Sequence, residues 1–319
     1  MAAGMGTRLS PITDHVPKPL VPVANRPALE YLLARLPEAG VTEVAINLHH
    51  YGDAVRAAFG DGSRLGLRIH WSYEPELLGT AGGAAPVANF LRETGEPFLV
   101  LSGDGLHAID LAALVRRHHE AKAIGTLTVL EIDDPSRFGV CVLDEAGLIT
   151  AFQEKPALAD ALSRWASCGV YCFEPEVLDR LPDAQFFDWA RDVLPRMLAD
   201  GDRLAAYRTD AYWSDIGTVA DLLRANLDLV SGALGLADGA GIDPTAAIDP
   251  SAHIDGAVAI GARASVGADV RITGPVAIGA GARIGEGAAL RDAVVLPGSA
   301  VAAGSIVLGG IVGDIATFS

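Results

Sequence analysis

The chain has 319 residues, half of them hydrophobic, and a formal net charge of −16 at pH 7. That length is enough for two domains with sizeable cores, while no apolar run approaches the ~20 residues of a membrane helix and no cationic, apolar leader is present, so we expect a cytoplasmic protein. The excess of negative charge disfavours binding to nucleic acid or to an anionic membrane, although cations gathered in one cleft can still bind a small phosphate.

The first two dozen residues combine a glycine-rich turn with two cations. The chain opens on MAAGMGTRLSPIT, and VPKPLVPV follows at residues 16–23. Gly4 and Gly6 leave room for backbone amides to approach phosphate oxygens. Arg8 and Lys18 supply positive charge, and the prolines around Lys18 restrict where it points. Loop and cations together suit a nucleoside triphosphate, whereas the glycine motif alone would sooner indicate a solvated loop.

Both segments together resemble the signature of the sugar-1-phosphate nucleotidyltransferases, G-x-G-T-R-L-x-P-x-T followed by P-K-P-L-x-P-V. The residues that this resemblance assigns to the nucleotide are Ala3, Gly4, Gly6, Thr7, Arg8 and Lys18. In the family an apolar strand of about five residues leads into the loop. This sequence begins on the loop, so we expect either a start further upstream or a missing central strand, which would weaken the sheet and the aim of the loop.

Helix and strand patterns alternate in the next part of the chain. Leucines at helical spacing predict a helix over 28–40, and an apolar run predicts a buried strand over 41–48. A short helix over 51–59 and a strand over 67–73 follow. This alternation predicts an α/β fold, with a mostly parallel sheet, helices on both faces, and ligands beyond the carboxyl ends of the strands.

A second loop of glycine and small residues, ELLGTAGG, occupies residues 76–83. It resembles the base-recognition loop of the same family, and its L-G-T-A-G form is most like that of the mannose-1-phosphate guanylyltransferases. The resemblance implies that Gly79, Thr80 and Ala81 bind the base and that the nucleotide is GTP. On the residues alone, Thr80 as the N-cap of a helix explains the loop equally well.

Two aspartates follow strand-like segments. The apolar run 97–101 leads into Ser-Gly-Asp104, and Tyr-Trp-Ser-Asp215-Ile-Gly-Thr begins at Tyr212. A carboxylate at the end of a strand suits Mg²⁺, which prefers one or two carboxylates together with phosphate oxygens. Both segments match the family's metal motifs, so the resemblance assigns Mg²⁺ to Asp104 and Asp215. The alternative for Asp215 is a cap on the helix that begins near Thr218.

The stretch 137–156 predicts a β-hairpin that opens on RFGV and ends on FQEKP. It resembles the sugar site of the family. The resemblance implies that Gly139 lets the backbone approach the sugar, that Glu154 binds sugar hydroxyls, and that Lys155 binds the sugar phosphate. The alternative is an exposed ion pair between Glu154 and Lys155.

Ser167 is a departure from the family, which has an asparagine facing the sugar at this place. Serine offers one hydroxyl instead of an amide, and a buried sugar hydroxyl left without a partner would cost ~1–3 kcal/mol. A modified hexose 1-phosphate, or a cyclitol 1-phosphate that lacks that hydroxyl, would avoid the cost. Alternatively, Ser167 and a water replace the asparagine, and mannose or glucose 1-phosphate is the acceptor.

Other segments complete the first part of the chain. We predict a helix over 111–120 whose histidines, including His118, face solvent, a strand over 125–131, a hairpin over 203–212 and a helix over 219–230. The cysteines show neither zinc-type spacing nor an even-numbered framework, which indicates reduced core thiols at Cys141, Cys168 and Cys172.

From residue 242 the sequence repeats every six residues. An aliphatic residue opens each hexad (IDPTAA, IDPSAH, IDGAVA and onward) except the one at Ala302. Stacked coils around a continuous aliphatic ladder explain this period. Resemblance to hexapeptide-repeat proteins implies a left-handed parallel β-helix with three hexads per coil, about four coils and ~19 Å of stack. Because the last coil, 311–319, has little polar capping, we expect the β-helix to hold a homo-oligomer together.

These features divide the chain into a nucleotidyltransferase domain over 1–230, a linker over 231–241 and a β-helix over 242–319. The implied reaction transfers a nucleoside monophosphate from GTP, or alternatively from dTTP, UTP or ATP, to a sugar 1-phosphate and releases pyrophosphate. The residues expected to carry it are Arg8, Lys18, Asp104, Lys155 and Asp215. Two other classes stay open: a non-catalytic, ligand-sensing homologue, and an acyltransferase on the β-helix, whose one histidine is His253.

Overall fold

The computed structural model describes residues 1–182, 185–235 and 239–313. Contacts divide the chain into two compact units. The first unit comprises 1–4, 33–103 and 109–213, and the second comprises 5–32, 104–108 and the described part of 214–319. None of the helices in the described ranges is long and apolar enough to cross a membrane. The domain boundaries expected at 230 and 242 stay a prediction, and residues 236–238 of the expected linker lie outside the described ranges.

Short helices and strands alternate along the described residues. The helices are α1 (Ala28–Arg35), α2 (Gly52–Phe59), α3 (Gly79–Gly82), α4 (Ala88–Arg92), α5 (Leu111–Ala121), α6 (Leu194–Ala199) and α7 (Val219–Val230). The strands before the repeats are β1 (Pro22–Val23), β2 (Arg26–Pro27), β3 (Glu43–Leu48), β4 (Arg68–Tyr73), β5 (Phe98–Leu101), β6 (Gly105–His107), β7 (Gly125–Glu131), β8 (Gly139–Leu143), β9 (Ile149–Glu154), β10 (Trp165–Phe173), β11 (Leu204–Thr209) and β12 (Trp213–Asp215). The strands of the repeats are β13 (Gly241–Ile242), β14 (Ala247–Ile248), β15 (His253–Asp255), β16 (Val258–Ile260), β17 (Ser265–Val266), β18 (Arg271–Ile278), β19 (Arg283–Ile284), β20 (Ala289–Val295), β21 (Ala300–Val301), β22 (Ile306–Leu308) and β23 (Ile311–Val312).

The first unit is built on a sheet in the order β11–β7–β10–β8–β9, with β5 also paired to β10. β7 and β11 run parallel, as do β3 and β4 in a separate pair, whereas β10 runs antiparallel to β5, β7 and β8. Phe173 of β10 stacks on Trp189 with ring centroids 4.8 Å apart, and both side chains are buried. The predicted α/β class is confirmed, and this sheet is mixed, because β8 and β9 also run antiparallel to each other.

Met1 lies beside the end of β5. Its amino group donates to the carbonyl oxygen of Leu101 at 2.7 Å, and the amide of Gly103 donates to the carbonyl oxygen of Met1 at 2.8 Å. A Cβ on Gly103 would come within 2.7 Å of that same Met1 oxygen, so this close approach requires glycine. The start of the glycine-rich loop is therefore held against the strand that leads to Asp104.

Predictions for single elements meet different outcomes. The strand over 125–131 and the hairpin within 137–156 are confirmed as β7 and as β8 with β9. The hairpin predicted over 203–212 is wrong, because β11 pairs with β7 and β12 pairs with β6. Leu204 to Ala206, the residues that begin β11, are buried, and β11 forms an edge of the sheet beside the parallel strand β7.

The prediction that the histidines of α5 face solvent is wrong for His118. Its ring is fully buried, with Nδ1 2.9 Å from Thr126 Oγ1 and Nε2 3.3 Å from Glu174 Oε1. Burial lowers the pKa of His118, and the nearby Glu174 carboxylate opposes that shift. Helical spacing places His118 on the same face as Leu111 and Leu114, which are buried as well.

The second unit contains a parallel β-helix. Ile242, Ile260 and Ile278 stand at equivalent places in successive coils, which gives a coil of 18 residues and confirms three hexads per coil. The described coils enclose a core of aliphatic side chains from successive hexads. The left-handed sense stays a prediction, and residues 314–319 of the expected last coil lie outside the described residues.

The hexad register predicted beyond Leu290 is wrong by one residue. The pair Thr273–Arg291 keeps the 18-residue offset, but Val276 pairs with Ala293, an offset of 17. The later coil is one residue shorter here, and Asp292, with φ 47° in the left-handed region, makes the tighter turn. The ladder therefore continues through Val295, Val301 and Val307, which explains why Ala302 broke the predicted pattern.

Candidate functional site

The glycine-rich loop closes on itself through Thr13. Gly6 has φ 66°, and the Thr13 hydroxyl donates to its carbonyl oxygen at 2.8 Å. A Cβ on Gly6 would meet Thr13 Cγ2 at 3.0 Å and Lys18 Cβ at 3.2 Å, so both conformation and space require glycine. Gly4, by contrast, has nothing within 4 Å of the place where a Cβ would be. That open side leaves its backbone accessible to a ligand.

Three predicted residues meet in the second unit, where β6 pairs with β12. Lys18 Nζ forms an ion pair with Asp104 Oδ2 and lies 3.5 Å from Asp215 Oδ1. The Lys18 side chain is only 9% exposed, so its charge is held between these two carboxylates. Arg8 is more open, and its Nη2 lies 4.0 Å from Asp215 Oδ2. Two cations and two carboxylates thus form one cluster.

The surroundings of Asp215 disfavour the charged form of its carboxyl group. Burial raises the pKa of its carboxyl group, and the neighbouring Asp104 raises it further, while Lys18 and Arg8 act in the opposite direction. Asp215 Oδ1 is buried and accepts no hydrogen bond. A buried carboxylate oxygen without a hydrogen bond, beside a second carboxylate, fits a divalent cation bound by these two side chains and by ligand oxygens.

The described residues include no cluster of three or more acidic, histidine or cysteine side chains able to hold a metal ion. A pair of carboxylates is nevertheless enough for Mg²⁺ when phosphate oxygens and water complete the coordination. The alternative role for Asp215 as a helix cap is not what the structure shows. The N-cap of α7 is Thr218, whose hydroxyl oxygen accepts from the amide of Asp221.

Gly217 explains why the motif after Asp215 needs glycine. A Cβ there would lie 2.9 Å from Asp215 Oδ2 and 3.3 Å from Arg8 Nη1. A side chain at this position would therefore push on both members of the Arg8–Asp215 pair.

The base-recognition loop predicted in the first unit is fixed against the segment 185–189. The amides of Ala81 and Gly82 both donate to the carbonyl oxygen of Phe187, at 2.9 and 3.0 Å. Gly79 has φ 76°, and a Cβ on it would come within 2.5 Å of that same oxygen. The Thr80 hydroxyl donates to Asp188 Oδ2 at 2.7 Å, so Thr80 is not the N-cap that the alternative interpretation required.

A buried polar pair, missed from the sequence, joins the first residues to this loop. Asn47 Oδ1 accepts from the amide of Ala2 at 2.8 Å, and Asn47 Nδ2 donates to Glu74 Oε1 at 2.7 Å. Glu74 Oε2 in turn accepts from the amide of Leu78 at 2.9 Å. Both side chains are buried, and a Cβ on Gly83 would lie 2.5 Å from each of them. The only sequence signals were a polar residue within one strand-like run, Asn47, and another directly after the next such run, Glu74.

The sugar-site residues predicted on β8 and β9 lie together. Gly139 stands opposite Glu154 in the antiparallel pair, and a Cβ on Gly139 would meet Phe152 at 2.4 Å and Glu154 Oε2 at 3.3 Å. Lys155 has φ 49°, an uncommon conformation for a residue other than glycine. Its Nζ lies 3.2 Å from Glu154 Oε1, so the ion pair considered as an alternative does form, and Lys155 remains half exposed.

Ser167 lies at an irregularity of β10. The register with β7 shifts between Ser167 and Tyr171, where Gly169 has φ 68°. Ser167 is buried, and its hydroxyl lies 3.3 Å from that of Tyr171. Burial raises the pKa of Tyr171, which is also close enough to feel the charges of Asp188 and Glu154. Tyr171 is therefore the hydrogen-bonding neighbour of Ser167, and sequence reasoning did not single it out.

Comparison with known proteins shows which family the sequence resembles. The family model described as "Nucleotidyl transferase" matches residues 1–232. The chain is 40% identical over 233 residues to a mannose-1-phosphate guanylyltransferase of Mycobacterium tuberculosis, covering 73% of this chain and 64% of that protein. It is 37% identical over 236 residues to a UTP–glucose-1-phosphate uridylyltransferase of Synechocystis sp., covering 70% of this chain and 61% of that protein.

A solved structure shares the fold. A putative glucose-1-phosphate thymidylyltransferase from Bacillus anthracis, in complex with sucrose, aligns with a TM-score of 0.63 and 27% identity, covering 70% of this chain and 91% of that one. The matched part of this chain spans somewhat over three fifths of the length of the two curated relatives.

Proposed function

The chain belongs to the nucleotidyl transferase family, and we propose that it transfers a nucleoside monophosphate from GTP to a sugar 1-phosphate. An oxygen of the sugar 1-phosphate attacks the α-phosphorus of the nucleotide, the bond from that phosphorus to the bridging oxygen breaks, and pyrophosphate leaves. The product is an NDP-sugar. The observation that carries this proposal is Lys18 held between Asp104 and Asp215, next to Arg8.

Catalysis in this proposal is positioning and charge stabilisation. The attacking phosphate is already ionised at neutral pH, so no general base is needed. Arg8 and Lys18 bind the triphosphate and stabilise the negative charge that develops on the leaving pyrophosphate. Asp104 and Asp215 hold Mg²⁺, which when bound would neutralise charge on the phosphate oxygens. Because Lys18 is buried and paired, it loses little side-chain entropy when it engages the ligand.

The acceptor side of the proposal involves β8 and β9. Lys155 binds the phosphate of the sugar, Glu154 accepts hydrogen bonds from sugar hydroxyls, and Gly139 lets the backbone come close. The Ser167 hydroxyl already lies within hydrogen-bond distance of Tyr171, which supports an acceptor that asks less of this position than a hexose bound to an asparagine. A panel of hexose and cyclitol 1-phosphates as acceptors distinguishes the two classes of substrate.

GTP is proposed because the loop reads L-G-T-A-G and because a guanylyltransferase is among the relatives with high identity. UTP with glucose 1-phosphate is the second candidate, favoured by the uridylyltransferase relative. In both cases Gly79, Thr80 and Ala81 are the proposed base-binding residues. An order-of-magnitude preference in kcat/KM for one nucleotide decides between them.

We also propose a cytoplasmic, homo-oligomeric protein. The three cysteines are free and buried, which is usual in a reducing compartment. The β-helix supplies a repetitive surface on which copies of the chain can associate.

The test is a pyrophosphate-release screen of GTP, UTP, dTTP and ATP against mannose, glucose and cyclitol 1-phosphates. We expect pyrophosphate release with GTP. In Asp104→Asn the turnover should fall by about a hundredfold or more, because that change removes an anionic metal ligand. Asp255→Asn, at an exposed aspartate of the β-helix, is the matched control and should keep wild-type turnover. If no pair releases pyrophosphate, the proposal is wrong, and consumption of acetyl-CoA in a parallel assay would favour an acyltransferase.

A further inference from the structure

The segment that carries Lys18 continues into a tight hairpin. β1 and β2 pair through Val23 and Arg26, with Ala24 and Asn25 as the two turn residues. Both turn residues have positive φ, 43° and 71°, which is the conformation of a two-residue hairpin turn whose twist matches its strands. Val21 and Val23 are fully buried, and Lys18 O accepts from the amide of Val21 at 3.1 Å. The hairpin is therefore directly and rigidly linked to Lys18.

The tip of this hairpin contacts the β-helix. Asn25 Nδ2 donates to the carbonyl oxygen of Ile278 at 3.1 Å, and the same oxygen accepts from the amide of Gly261 at 2.8 Å. A Cβ on Gly261 would lie 2.5 Å from Asn25 Oδ1. Two neighbouring coils thus form a seat for the Asn25 side chain, and the absence of a side chain at Gly261 is what leaves room for it.

A second contact joins the hairpin to α7. Asn226 Oδ1 accepts from the amide of Ala24 at 2.8 Å, and Asn226 Nδ2 donates to the carbonyl oxygen of Leu222 at 2.9 Å. Asn226 is almost wholly buried, and α7 itself packs against β18 and β20 of the β-helix. α7 begins four residues after Asp215, the carboxylate that faces Lys18.

We propose that the β-helix positions Lys18, with Asn25 as the positioning residue that transmits its support. Coils at Gly261 and Ile278 hold the hairpin tip, the hairpin holds Lys18, and Lys18 stays between Asp104 and Asp215. The repeat region then contributes to triphosphate binding although none of its residues belongs to the proposed site. The inference deepens the proposed function, and its first test does not depend on that function.

Lysine labelling reads the position of Lys18 directly. The chain has three lysines, Lys18, Lys122 and Lys155, so mass spectrometry after brief acetylation with an N-hydroxysuccinimide ester resolves each one. Lys18 is buried and paired, whereas Lys122 is exposed. The measured quantity is the labelling rate of Lys18 divided by that of Lys122, called the Lys18 ratio. Asn25→Gly keeps the backbone conformation, since glycine adopts positive φ without strain, and removes only the side chain. We expect it to raise the Lys18 ratio by about threefold or more, an effect of the size usual for residues coupled through a shared backbone segment.

Two glycine variants separate this contact from general damage to the β-helix. Gly261→Ala would place a Cβ 2.5 Å from Asn25 Oδ1 and 2.6 Å from the Ala280 nitrogen. Gly285→Ala meets the same kind of obstacle, the Ala303 nitrogen at 2.5 Å, with no hairpin residue nearby. Gly261→Ala should raise the Lys18 ratio and Gly285→Ala should not. In an Asn25→Gly background, Gly261→Ala should add no more than Gly285→Ala does.

The enzymatic arm compares KM for the nucleoside triphosphate with the thermal midpoint. Asn25→Gly should raise KM while the midpoint stays near wild type, since a purely structural role would move both together. An unchanged Lys18 ratio in Asn25→Gly, or an equal rise in Gly261→Ala and Gly285→Ala, overturns the inference. If the wild-type chain makes no NDP-sugar but the ratio responds as expected, the proposed function fails and the positioning of Lys18 stands.

Discussion

At the residue scale, Asp215 lowers the stability of the folded chain. Its carboxyl group is buried beside Asp104, and burial first, then that second carboxylate, raises its pKa above the usual 3.8. Lys18 and Arg8 oppose the shift without cancelling it. Ionised Asp215 is therefore destabilising in the folded chain, and such groups are typical of binding and catalytic sites.

Asp215→Asn should make the protein more stable in metal-free buffer at neutral pH. Above pH 3.8 the unfolded chain has lost its proton while folded Asp215 still holds one, so wild-type stability falls as the pH rises toward the raised value. The variant has no titrating carboxyl group at this position, so its stability does not fall in this way. Thermal midpoints with a chelator should agree near pH 3.8 and separate as the pH rises.

If Asp104 and Asp215 hold Mg²⁺ as proposed, added Mg²⁺ should raise the wild-type midpoint more than that of the variant, because a ligand that binds the folded chain stabilises it. A variant less stable than wild type at pH 7 without metal would contradict this account of Asp215.

Glu74→Gln should weaken nucleotide binding from a distance. Glu74 accepts from Asn47 Nδ2 and from the Leu78 amide, and glutamine must present an NH₂ group to one of these donors. We expect a stability loss of about 1–3 kcal/mol, the range for a buried donor left unpaired, together with a raised KM for the nucleotide. Glu76→Gln changes an exposed neighbour and should leave both quantities as they are; equal behaviour of the two variants would exclude the role given to Glu74.

At the element scale, local pattern and long-range pairing were not equally predictable. The apolar run of β7 and the turn between β8 and β9 are encoded in adjacent residues, so the sequence predicted both. The partner of β11 depends on β7, some eighty residues earlier, and a pattern read along the chain contains no information on that pairing. Asn47 and Glu74 were missed for the same reason, since each becomes meaningful only when β3 and β4 stand side by side.

The strands β8 and β10 carry the three thiols, and these should be unreactive in the native protein. Burial raises the pKa of Cys141 and of Cys172 to about 12, and it raises that of Cys168 as well. An aromatic disulfide reagent reacts with the thiolate form. At pH 8 it should therefore react with none of the three thiols in the native protein and with all three in guanidinium chloride. Fast reaction of any thiol in the native state would mean that this part of the sheet opens readily.

At the scale of the whole molecule, contacts group residues differently from sequence patterns. The sequence separates the motifs of 1–230 from the repeats that begin at 242, because the two parts differ in period. The contacts place Arg8, Lys18, Asp104 and Asp215 in one unit with the β-helix. A change of period marks where a repeat begins, but it does not show which earlier segments pack on it.

We expect an oligomer at micromolar concentration by light scattering. The outward side chains of β22, Ile306 and Leu308, are about 70% exposed, whereas the equivalent places in the lower coils are mostly polar. Apolar groups concentrated at one end of a stack favour association there. Changing both to serine should shift the mass toward the monomer while the circular dichroism stays constant. A wild-type monomer would overturn the expectation.

The length of the coil has a consequence for how such a chain can vary. The coils before Ile278 contain 18 residues each and the later ones 17, and Asp292 marks the place where the number of residues per coil changes. Insertions or deletions beyond β20, which packs against α7, should therefore be tolerated when they comprise whole coils, each adding or removing ~4.8 Å of height. A partial coil would turn the aliphatic ladder out of the core. The coils that contact Asn25 and α7 are expected to keep their number, so different parts of the same repeat evolve under different constraints.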